Sequence, residues 1–185
     1  VFGFICLVSF SLAKPVVLLF LNPAYANAYL VVGLVASAYM LKGVYLIFLP
    51  GLYFNQKLKW QSLLEWAVAV SNVLLNLWLI PLFGIVGAGT ATLLSFVLLA
   101  GLSWYVGKRY LEVTYDFTKL FIIISLYSFG AITLYVLSIK IKSLLLLAGL
   151  SFFIIGIIGF SLYFILSEKE KQFLINKIRF KSEEK

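Results

Sequence analysis

Asn72-Val-Leu-Leu-Asn76-Leu-Trp-Leu-Ile-Pro81-Leu-Phe-Gly84-Ile-Val-Gly87-Ala88-Gly-Thr-Ala91-Thr92 is the end of one apolar run, a break, and the start of another. The run reaches back to residue 63 and resumes to residue 106, so two segments of roughly membrane-spanning length flank a connection with room only for a turn. Asn72 and Asn76 fall at i and i+4, on one face of the first helix. Beyond the break, Gly84, Gly87, Ala91 and Ser95 form a small-residue stripe of the kind that lets helix backbones approach closely in lipid. The two amides read either as glue between helices or as the lining of a polar cavity.

Working outward, the whole chain has the same character. Of 185 residues, 63% are hydrophobic and only 12% charged, against about 25% charged in an ordinary soluble domain. Mean hydropathy is +1.08. A water-soluble globule of this size has too little interior for that much apolar surface, so the chain reads as an all-α, polytopic membrane protein. Its first residue is Val1, and no basic segment or cleavage signal precedes the first apolar run. We therefore read it as the C-terminal part of a longer protein, whose missing N-terminal helices are its nearest partners.

Composition also removes chemistries. There is no His, so no imidazole base or His-ligated metal, and the single Cys6 supports neither a disulfide nor a paired thiol site. Of seven acids, only Glu65 stands close to a membrane segment, which leaves paired-carboxylate catalysis without its residues. No cofactor, metal or enzymatic activity is expected. The net charge of +8 borders apolar spans rather than building a soluble basic face, which favours membrane lipids over nucleic acid as the partner.

Six spans are predicted, at residues 1–21, 26–49, 63–79, 85–106, 117–139 and 144–166, each helical because an apolar run in lipid must satisfy its own backbone hydrogen bonds. Asn22-Pro23, Pro50-Gly51 and Pro81 with Gly84 mark three of the turns. Lys57 and Lys59, then Lys108, Arg109 and Lys119, then the tail with Lys169, Lys171, Lys177, Arg179, Lys181 and Lys185, fall on alternate connections; only Lys140 and Lys142 break the pattern. By the positive-inside rule both ends are cytoplasmic, with Trp60, Trp104, Tyr105 and Tyr110 at the inner interface. The tail at 168–185 interleaves apolar and basic residues, as suits a helix on an anionic leaflet or a solvated terminus.

The hairpin, with Lys14-Pro-Val-Val-Leu-Leu-Phe20 and Tyr25-Ala-Asn-Ala-Tyr29 before it, resembles the polysaccharide-biosynthesis flippases of the multidrug/oligosaccharidyl-lipid/polysaccharide exporter superfamily. The shared pattern N-x-x-L-N-x-x-L-I-P, a turn, then G-x-x-G-A-x-x-A-T falls on Asn72, Leu75, Asn76, Leu79, Ile80, Pro81, Gly84, Gly87, Ala88, Ala91 and Thr92. The likeness covers about Ser9 to Arg109 and departs at Leu21-Asn22, where the family often has Gly. It implies a MATE-like fold of two helical lobes around a cavity, working by alternating access in the cytoplasmic membrane of a prokaryote. Residues 1–110 would be the last four helices of the second lobe, 111–167 an extra helix pair and 168–185 a cytoplasmic tail. The implied substrate is a polyprenyl-diphosphate-linked oligosaccharide. Another substrate of the same superfamily, such as a peptidoglycan precursor or drugs, a membrane-integral glycan transferase and an assembly subunit are the alternatives.

Four residues are candidates to meet that substrate: Lys14, Lys42, Asn72 and Asn76. Lys14 lies about 12 Å inside the outer end of its span, where an ammonium needs water, a snorkelling path, a local partner or an anion. Lys42 lies at similar depth from the other face, with Glu65 on the following span as a candidate counter-charge.

Overall fold

The computed structural model describes residues 2–22, 25, 28–53, 58–110, 115–141 and 143–165. Among the described residues there are helices and no strand: α1 (Phe2–Phe20), α2 (Ala28–Phe48), α3 (Pro50–Tyr53), α4 (Leu58–Phe83), α5 (Ile85–Gly107), α6 (Phe117–Lys140) and α7 (Leu144–Ile165). Of these, α1, α2, α4, α5 and α6 are long and apolar enough to cross a membrane, and α7 matches them in length at 22 residues. Large apolar side chains cover the outside, with Phe20 80%, Phe121 73% and Trp66 72% exposed. That surface suits hydrocarbon and no aqueous phase. The expected basic tail, Lys57 and Lys142 lie outside the described residues.

Two boundaries differ from the expectation. The third span, expected at 63–79, is the 26-residue α4, which takes in Lys59, Trp60 and Gln61 at its start and Pro81 near its end. Lys and Gln favour the helix as much as most apolar residues do, so polarity alone does not end it. Pro81 removes one backbone donor in the last turn, where little cooperativity is left to lose. The helix stops at Gly84, whose φ of 59° lies in the left-handed region and whose N–H still reaches the Ile80 carbonyl at 2.8 Å. The second difference is α3, which starts at Pro50 where a plain turn was expected; proline suits a first helical position.

Contacts between named residues give each helix a direction. Met40 and Phe10 of neighbouring helices lie over Gly3 and Gly33 respectively, so α1 and α2 are antiparallel. Leu34 meets Gly89, Tyr39 meets Phe96 and the Phe48 carbonyl nears Gly107, so α2 and α5 run the same way. Leu79 packs on Gly87 and Asn72 on Ser95, which makes α4 antiparallel to α5. Tyr127 nears Gly3 and Leu7 nears Gly130, so α6 parallels α1, and α7 turns back after a short connection until Gly159 reaches Phe4. The alternation demanded of six consecutive spans is therefore present in the packing.

The helices form a block of α1, α2, α4 and α5, built on α5 with α2 and α4 on it and α1 on α2, while the α6–α7 hairpin attaches mainly to α1. Leu7, Ala38, Leu52 and Ala91 are essentially inaccessible at the centre of these contacts.

Candidate functional site

In the α4–α5 hairpin backbone packs directly on backbone. A Cβ added at Gly87 would collide with the backbone of Leu79 and Ile80, so glycine is what lets α5 lie against α4. Ala91 and Ser95 continue that buried line. Gly84, expected on the same stripe, is corrected by the structure: it is exposed, nothing lies within 4 Å of where its Cβ would be, and its positive φ makes it the turn residue. Ala88 is half-buried; its carbonyl accepts a hydrogen bond from Thr92 Oγ1 at 3.0 Å. The helix register thus separates two glycines that look equivalent in sequence.

Asn72 and Asn76 are both half-buried and both engaged internally. Asn72 Nδ2 donates to Ser95 Oγ at 3.0 Å, and Ser95 Oγ donates to the Ala91 carbonyl at 2.8 Å. Asn76 Nδ2 donates to Asn72 Oδ1 at 3.0 Å and to the Asn72 carbonyl at 2.9 Å. This chain joins the two helices through polar atoms, as intramembrane amides do when they serve as glue.

Lys14 has partners that sequence reasoning does not reach. Its Nζ donates to the carbonyl of Ser138 and, at 3.0 Å, to that of Ile141, and lies 5.6 Å from the centroid of the Tyr29 ring. Ser138 is in the last turn of α6 and Ile141 is its C-cap, so both acceptors are carbonyls a helix end leaves unsatisfied. A cation there also complements the negative end of the helix dipole. The ammonium is thus committed to the fold, pinning the end of α6 to the flank of α1 and α2.

Lys42 is different. It is half-buried, with its Nζ 5.6 Å from the centroid of Tyr39. The pairing with Glu65 that sequence position suggests is not formed; among the described residues the one ion pair is Lys119–Asp116, at 4.0 Å. Glu65 Oε1 instead accepts from Tyr45 Oη at 2.7 Å and from Gln61 Nε2 at 3.3 Å. Tyr45 reaches the carboxylate first because it sits a turn nearer the end of α2 that meets the start of α4. Sequence analysis does not single out this Tyr45–Glu65–Gln61 cluster; the only signal for it is a lone membrane-adjacent carboxylate in need of donors.

A cavity of about 350 Å³ opens between α1, α2, α5 and α6, lined among others by Phe10, Gly33, Ser37, Thr90, Ala131 and Tyr135. Beside it Tyr127 Oη donates to Ser37 Oγ at 3.1 Å, and Ser37 Oγ donates to the Gly33 carbonyl at 2.9 Å. The lining is almost wholly apolar and suits hydrocarbon better than sugar. Among the described residues no group of His, Cys, Asp or Glu side chains is placed to hold a metal.

Compared with known proteins, the chain matches no family model, no curated protein and no solved structure.

Proposed function

We propose that the chain is most of the C-terminal lobe of a MATE-like exporter that carries polyprenyl-diphosphate-linked oligosaccharides across the cytoplasmic membrane of a prokaryote, with both chain ends cytoplasmic. The observation that carries this reading is Lys42. An ammonium about 9 Å inside the end of a membrane helix, half-buried and with no carboxylate beside it among the described residues, calls for an anion from outside the chain. A lipid diphosphate is an anion that enters a membrane interior with its own apolar anchor.

Two further features support the reading. The four helices α1, α2, α4 and α5 pack as a block to which the α6–α7 pair attaches mainly through α1, an arrangement that supports a lobe with an extra pair. Most of α4 away from α5 is bare, with Trp66, Val70, Leu77 and Trp78 all more than half exposed, as suits a helix that meets further helices of the same protein or lipid. In this reading Lys42 attracts the diphosphate, the ring of Tyr39 limits where the ammonium sits, and Asn72, Asn76 and Lys14 hold the lobe rigid. Alternating access then comes from rocking of this lobe against its counterpart.

Deleting the gene tests the proposal. The expected result is lipid-linked oligosaccharide accumulating on the cytoplasmic face, with surface polysaccharide lost and restored by the intact gene. Normal surface polysaccharide, or loss without accumulation of the lipid-linked precursor, would contradict it.

A further inference from the structure

Where α5 leaves the bundle, four consecutive-turn residues form an unusual surface. Lys108 is the C-cap of α5, and its Nζ lies 4.5 Å from the centroid of the Trp104 ring and 5.0 Å from that of Tyr105. The Arg109 guanidinium lies 4.8 Å from the Tyr105 centroid and donates from Nη2 to Tyr105 Oη at 2.7 Å. Each cation is thus stacked on an aromatic side chain one turn back, an i, i+4 arrangement that fixes its position. Behind them Trp104 packs edge-on against Phe117, which in turn packs against Tyr115. The platform is therefore braced by the start of α6.

Among the described residues the platform has no counter-charge. Both Lys108 and Arg109 are exposed, and neither has an ion pair among the described residues; nearby Asp116 is engaged with Lys119, accepting its N–H at 3.0 Å as the N-cap of α6. Ring faces attract an ammonium without accepting its hydrogen bonds, so among the described residues the ammonium donors of Lys108 and four of the five guanidinium donors of Arg109 have no acceptor. Two adjacent cations, at the end of an apolar helix and beside exposed apolar side chains, complement an acid whose charge sits at a membrane surface: a phosphodiester attached to acyl chains.

From this geometry we infer that Lys108 and Arg109, held on Trp104 and Tyr105, form a headgroup site for an anionic phospholipid of the leaflet that the C-terminal end of α5 reaches. The guanidinium offers a paired donor set to the phosphate oxygens, and the ammonium supplies the second charge. The acyl chains lie along the apolar flank of α5, where Val97 and Leu98 are exposed. The site is independent of the transport reading, since it needs only the chain to sit in a bilayer.

Tryptophan quenching by brominated lipid reads the site directly. The chain bearing Trp60→Phe, Trp66→Phe and Trp78→Phe keeps Trp104 as its one tryptophan, excited selectively over tyrosine, and is reconstituted in vesicles in which acyl-brominated phosphatidylglycerol or phosphatidylcholine replaces the unbrominated lipid. The expected result is a binding preference for the anionic phosphatidylglycerol of about fivefold or more at Trp104, at low salt. The preference should fall to near unity in Lys108→Gln/Arg109→Gln or at high salt, and persist in the charge-keeping Lys108→Arg/Arg109→Lys, which guards against misfolding as the cause. A companion form that keeps only Trp78, at the opposite end of the bundle, is expected to show no preference. Equal quenching by both lipids at Trp104, the same preference at Trp78, or a preference unchanged by the double glutamine substitution would overturn the site.

Discussion

The α4–α5 hairpin and the α6–α7 hairpin have the same length and composition class, yet they are held in different ways. In the first, backbone meets backbone: Gly87 lies against Leu79, and an amide–hydroxyl chain from Asn76 through Asn72 to Ser95 ties the helices together. In the second, Gly130 faces side chains rather than backbone, those of Ile158 and of Leu7 of α1, and Gly149 and Gly156 face open space. What anchors the end of α6 is a single charged contact, Lys14 on the Ser138 and Ile141 carbonyls. With no hydrophobic drive between helices in lipid, close packing and a few polar contacts decide which interfaces are rigid. The first hairpin is built to keep its shape, and the second to remain attached.

The largest effect is expected at the tightest point. Gly87→Leu must separate α4 from α5 and should lower stability by more than about 3 kcal/mol, removing most folded protein. Val97→Leu, at an exposed position on the same helix, should leave the yield unchanged. Size-exclusion profiles in detergent compare them; equal profiles would break the contrast at its root.

Next in size is Lys14→Met, which leaves two carbonyls at the end of α6 without their donor and should cost about 1–2 kcal/mol. Hydrogen exchange should quicken at the last turn of α6 while the α4–α5 amides stay protected. Uniform loosening of both hairpins would show that Lys14 supports the whole bundle.

A smaller loss, about 1 kcal/mol, is expected for Asn72→Ala, because membrane hydrogen bonds contribute modestly and Ser95 retains its bond to the Ala91 carbonyl. Thermal unfolding in detergent checks it. The smallest effect is at Gly149: with space around it, Gly149→Ala should be neutral or add up to about 1 kcal/mol through helix propensity. A clear loss of stability there would mean that the outer face of α7 is packed against something.

The span pattern is legible because apolar runs end at residues that cannot stay in hydrocarbon or in a helix, such as Asn22 and Lys108. The extent of α4 is not, since Lys59, Gln61 and Pro81 look like breakers but sit within its terminal turns. Small-residue spacing identifies Gly87 as a packing residue and misplaces Gly84, because a stripe in sequence does not say where the helix begins. Asn72 and Asn76 are visible as a polar pair, but their partner Ser95 is a matter of hairpin register. The partners of Lys14 are 124 and 127 residues away, and backbone carbonyls carry no sequence signature. Lys42 stands out in sequence for its depth, and only the structure shows that Glu65 accepts from Tyr45 and forms no ion pair with Lys42.

That ammonium, without an ion pair among the described residues, bears the central claim, and surface polysaccharide in a gene-deleted strain complemented by the intact gene product tests it most directly. Lys42→Ala should reduce export at least tenfold while protein abundance stays near normal, and Lys42→Arg should recover part of it because the charge survives with altered geometry. Export by the alanine form equal to that of the parent protein would contradict a role for Lys42 in meeting an anionic substrate.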